Sequence, residues 1–101
     1  MMSKNDIVEI IRSKKRLMRS LGISKLSLFG SALYGTQDEK SDIDLLVQFE
    51  GSQSLFRIIK AQLELEKYLG KEVDLVTVDS LSVYFRDKVL SEMETIIDEK
   101  S

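Results

Sequence analysis

Three aspartates and one glycine-serine pair carry the chemistry legible in this chain. Asp42-Ile43-Asp44 heads an apolar run that ends at Phe49, and Asp74 sits inside a second apolar segment, residues 72–78. Gly30-Ser31 precedes Asp42 by an interval of ten residues. Side chains at i and i+2 of a strand point the same way, roughly 6–7 Å apart. Asp42 and Asp44 can therefore share a hard cation or bracket a pair of them. Asp74 would complete the shell of the first ion, or accept the proton of an attacking hydroxyl. Gly30 lets the backbone approach a phosphate with no Cβ in the way. The N–H groups around Ser31 and Ala32 would face that anion from the head of a helical turn, and the Ser31 hydroxyl adds a donor. Singly, these features read as a turn, a cap and a salt-bridged edge residue. Their order and spacing together are the parts of a metal-dependent site for nucleotidyl transfer.

The elements that must position them follow from periodicity. Apolar residues Ile7, Ile10, Ile11, Leu17, Met18 and Leu21 predict one helix over 6–21, with Ser3 or Asn5 as its cap and Gly22 as its stop. Residues 25–29 alternate as a strand that ends at Gly30. Residues 32–34 make one helical turn, and the polar stretch 36–41 reads as a loop. Residues 42–49 form the second strand, with Ile43, Leu45 and Val47 on one face and Asp42 and Asp44 on the other. A helix is expected over 55–69, capped by Ser52 or Ser54 and ended by Gly70, with Leu55, Phe56, Ile59, Leu63 and Leu69 toward the core. A third strand covers 72–78. A last helix is expected over 83–97, with Phe85, Val89, Leu90, Met93, Ile96 and Ile97 as its stripe. Gly30 and Asp42 can meet one ligand if the first two strands are antiparallel. The crossover through 55–69 permits a parallel pair that sets Asp74 beside Asp42 and Asp44. The expected fold is α/β (α+β), a small mixed sheet of three or more strands flanked by helices, in a single domain spanning 1–101.

Composition narrows the chemistry. The chain has 101 residues with no cysteine and no histidine. Thiolate or imidazole metal sites and His- or Cys-based catalysis are thereby excluded, leaving an oxygen-liganded ion such as Mg²⁺ or Mn²⁺. No apolar run reaches membrane-spanning length and the N-terminus lacks the pattern of a signal peptide, so the expectation is a cytoplasmic protein with no membrane partner. The formal net charge is −2, which argues against direct nucleic-acid binding. Residues 1–25 nonetheless hold seven basic and two acidic side chains. The cluster Arg12, Lys14, Lys15, Arg16 and Arg19 reads as a solvated helix face or a surface for phosphate or an acidic partner.

At this point the sequence resembles the MNT-type minimal nucleotidyltransferases of the DNA polymerase β superfamily. The shared pattern is Gly30-Ser31, ten residues, Asp42-Ile43-Asp44, then Asp74 in a later strand led in by Leu69-Gly70-Lys71. The resemblance implies two Mg²⁺ ions and a nucleoside triphosphate, usually ATP. It implies metal binding and catalysis by Asp42, Asp44 and Asp74, and nucleotide binding by Gly30 and Ser31. It also implies an antitoxin that moves AMP onto a tyrosine of a partner HEPN-domain toxin, in a homo- or hetero-oligomer. One departure stands out. Many relatives carry basic residues between the two glycines, whereas this chain has Ala32-Leu33-Tyr34 before Gly35. Lys40, Lys71 or the basic cluster are the candidate substitutes, and Tyr34 reads as a packing residue in preference to a nucleotide-stacking one. The competing reading is a non-catalytic module that neutralises a partner by docking alone.

Overall fold

The computed structural model describes residues 2–34, 42–51 and 54–99. The expected polar loop over 36–41, Lys40 within it, and Ser52 as a cap lie outside the described residues. The helix expected over 6–21 is two helices, α1 (Lys4–Ser13) and α2 (Lys15–Ser20), broken at Lys14. Ser3 and Asp6 form a reciprocal capping box at the start of α1, with the Ser3 Oγ accepting from Asp6 N–H and Ser3 N–H donating to the Asp6 carboxylate. Strand β1 (Ile23–Phe29) leads through Gly30 into the single turn α3 (Ser31–Tyr34). Strand β2 (Ile43–Phe49) is followed by α4 (Leu55–Leu69) and β3 (Val73–Val76). After a 3₁₀ turn come α5 (Arg86–Glu92) and β4 (Glu94–Asp98).

The sheet order is β3-β2-β1-β4. As expected, β1 and β2 are antiparallel and β2 and β3 are parallel. Register assigns the faces, because cross-strand partners share one. Leu26 opposes Val47 and Ile97, Leu28 opposes Leu45, and Leu45 opposes Leu75. These residues are buried in one cluster with Ile7 and Ile11 of α1, Met18 of α2 and Leu65 and Leu69 of α4. The core therefore lies between one sheet face and these helices. The reverse face carries the rows Thr95–Ser27–Leu46–Val76 and Phe29–Asp44–Asp74. Ser27 is buried there and its hydroxyl meets that of Thr95 at 3.2 Å.

Two further expectations fail. The helix expected over 83–97 stops at Glu92, and residues 94–98 are an edge strand paired antiparallel with β1. Helical spacing of Val89, Met93 and Ile97 imitates one continuous stripe, but the β1 edge has open N–H and C=O groups that a strand satisfies and a helix does not. The core face of α4 is also different. It is Ala61, Leu65 and Leu69, with Ser54 accepting from Arg57 N–H as the cap and Gly70 (φ 69°) closing the end in the left-handed region. Leu55, Phe56, Ile59 and Leu63 are exposed. Leu65→Ala is expected to cost about 2–5 kcal/mol in denaturant unfolding, and Leu63→Ala under about 0.5 kcal/mol.

Candidate active site

Phe29, Asp44 and Asp74 lie side by side across three strands, because Asp44 pairs with Phe29 on β1 and with Asp74 on β3. The parallel ladder begins at this level, where Ile43 N–H donates to Glu72 C=O at 2.9 Å. Asp42 stands just before β2 and is exposed, as is Asp74, while Asp44 is half-buried. Burial, and then the charges of Asp74 and Asp42, push the Asp44 carboxyl above the ordinary range for an aspartate. Asp44 thus feels the charges of both other carboxylates. Among the described residues no three Asp or Glu side chains are drawn together tightly enough to hold an ion. A set made only of hard carboxylate oxygens matches Mg²⁺ or Mn²⁺.

Gly30 fits against the same aspartate. Its φ is 76°, and a Cβ placed on it would lie 2.1 Å from Asp44 Oδ2. The turn therefore requires glycine twice, for its left-handed backbone and for the carboxylate seated on it. The helical turn α3 starts immediately after, with Leu33 N–H bonded to Gly30 C=O at 3.1 Å. Ser31, at the head of α3, is half-buried.

Next to this turn is a cavity of about 180 Å³ between α3 and α5, walled by Phe29, Gly30 and Leu33 on one side and by Lys88 and Val89 on the other. Tyr34 and Glu92 also border it, and the Tyr34 hydroxyl donates to the Glu92 carboxylate. This bond raises the Tyr34 phenol above its usual range. Tyr34 is 57% exposed, so the expectation of a packing residue is corrected: its ring lies open and its hydroxyl ties α3 to α5. The α5 wall was invisible in the sequence, where residues 83–97 read as a core helix; Lys88 and Glu92 are four apart and carry no motif. A larger cleft, about 410 Å³, lies near the far end of β2 against Glu50, Thr77 and Asp79, away from the aspartates. Of the basic cluster, Lys14 covers the Tyr68 ring at 4.3 Å and Arg19 pairs with Glu99, so at least these two serve the fold.

Residues 4–101 match the family described as polymerase beta, nucleotidyltransferase. With almost the whole chain matched, this protein belongs to that family of nucleotidyltransferases. The protein adenylyltransferase MntA of Thermococcus cleftensis is 37% identical over 94 residues, spanning 92% of this chain and 95% of that one. A solved toxin-antitoxin structure with AMP-PNP superimposes with a TM-score of 0.72 at 26% identity, over 90% of this chain and 73% of its counterpart. A complex of a tri-AMPylated Shewanella oneidensis HEPN toxin with its MNT antitoxin gives a TM-score of 0.65 over 92% of this chain and 74% of the other; at 21% identity it speaks for the fold. Among the described residues no helix is long and apolar enough to cross a membrane.

Proposed function

We propose that this chain transfers AMP from ATP to a hydroxyl, a tyrosine's, on a partner HEPN-type toxin, and thereby acts as its antitoxin. The observation that carries the reading is the Asp44–Asp74 register pair with Gly30 pressed against Asp44. The relatives support it, since they include a named protein adenylyltransferase and a toxin-antitoxin structure with an ATP analogue. Asp42, Asp44 and Asp74 would hold Mg²⁺, two ions by the family resemblance. A bound divalent cation supplies charge neutralisation and polarisation at the transferring phosphate.

The chain's own groups do the rest. Gly30 presents bare backbone, and the Ser31 hydroxyl and the N–H groups opening α3 face the phosphate oxygens. Asp74, exposed at the sheet edge, takes the proton of the acceptor hydroxyl. The acceptor oxygen bonds to the α-phosphorus while the bond to the bridging oxygen breaks, and pyrophosphate leaves with that electron pair. Catalysis is then mostly positioning and electrostatics.

The test is to mix the purified chain with its toxin partner, ATP and Mg²⁺, and weigh the partner by mass spectrometry. An AMP-sized increment on a tyrosine is the expected result. A stable complex with no increment would instead establish the docking module, which the uncharged Ala32-Leu33-Tyr34 interval would suit.

A further inference from the structure

We propose that Lys88, on the α5 wall of the cavity beside Gly30, supplies the phosphate-facing cation absent between Gly30 and Tyr34. The proposal rests on the nucleotidyl-transfer reading and adds to it a residue outside its motifs. A triphosphate seated at Gly30 brings several negative charges beside three aspartates. Its affinity therefore needs a fixed positive charge nearby, beyond any ion the aspartates hold. The turn α3 offers none, since its residues are Ser31, Ala32, Leu33 and Tyr34. Across the cavity, α5 places Lys88 in the wall that faces Gly30.

Lys88 has no ion-pair partner among the described residues, whereas the acid one turn on, Glu92, is occupied by the Tyr34 hydroxyl. The site's cation is thus uncommitted while its anion is engaged. A lysine is a compact point charge on a flexible stem, suited to a phosphate whose position is set elsewhere. Leu33 and Val89 line the same cavity. The Tyr34–Glu92 hydrogen bond links the two helices.

The test measures ATP binding directly, by calorimetry or by displacement of a fluorescent ATP analogue in Mg²⁺, alongside steady-state transfer. Lys88→Ala is expected to weaken ATP binding about tenfold, a typical loss for one charge-assisted contact, and to raise the KM for ATP with little change in kcat. Lys88→Arg should restore most of the affinity, and the exposed Lys60→Ala on α4 should bind as wild type does. Equal ATP affinity in wild type and Lys88→Ala would overturn the role of Lys88. Failure of the wild type itself to bind ATP would remove the parent reading, and this proposal with it.

Discussion

Asp44→Asn is expected to abolish the proposed AMP transfer and at the same time to make the metal-free domain more stable at neutral pH. The two effects share one cause. Asp44 is half-buried between Asp42 and Asp74, so its ionised form is disfavoured by lost solvation and by two neighbouring charges. Asparagine keeps the shape and removes the charge. The expected loss of transfer is about 10³-fold or more, since several kcal/mol of ion-dependent stabilisation go with the carboxylate. The expected stability gain is on the order of 0.5–1 kcal/mol, the scale on which relieving a destabilised functional site acts.

The pH dependence has a definite sign. The folded Asp44 titrates above its unfolded value, which is near 3.9. Below about pH 3.9 the group is protonated in both states and imposes no penalty. As pH rises through the raised folded value, the unfolded state gives up its proton first, and the wild type loses stability. The advantage of Asp44→Asn should therefore be absent in acid and complete at pH 7. Added Mg²⁺ should reverse the ranking by stabilising only the wild type. Thermal melts at both pH values, with and without Mg²⁺, give all four comparisons.

The second large effect is at Gly30. Gly30→Ala introduces a Cβ 2.1 Å from Asp44 Oδ2 at a φ of 76°. The carboxylate cannot stay where it is. A displacement of about 1 Å in a catalytic group costs on the order of 10²-fold in rate. The backbone strain adds roughly 1–3 kcal/mol of destabilisation. Gly70 separates these contributions. It has a similar φ of 69°, but nothing lies within 4 Å of its added Cβ. Gly70→Ala should thus lower the melting temperature comparably while leaving transfer nearly intact. Equal rates for the two variants would show that Asp44 is not positioned by the Gly30 turn.

The site motifs were more legible in the sequence than the packing around them. Asp42, Asp44 and Asp74 announce themselves because carboxylates at strand heads are unusual among apolar residues; the antiparallel pair follows from the need for Gly30 and Asp42 to meet one ligand, and the parallel pair from the length of the crossover through 55–69. The bounds of α4 were legible because Ser54 and Gly70 punctuate it. Its orientation was not. Leu55, Ile59 and Leu63 compete with Ala61, Leu65 and Leu69 for the inward face, and only the sheet decides between them. The strand at Glu94–Asp98 was hidden for a related reason. Its Ile96 and Ile97 continue a helical rhythm, while the partner that makes them a strand, β1, lies some seventy positions earlier in the chain. Lys88 had no local signal at all, and Tyr34 was read for packing, since what joins them is a cavity assembled by distant segments.

A crystal structure with Mg²⁺ and a non-hydrolysable ATP analogue tests the central claim most directly. The account predicts cations held by Asp42, Asp44 and Asp74, and phosphates against the bare backbone of Gly30 and Ser31. A triphosphate seated instead in the cleft by Glu50, Thr77 and Asp79, with the three aspartates still apart, would contradict it.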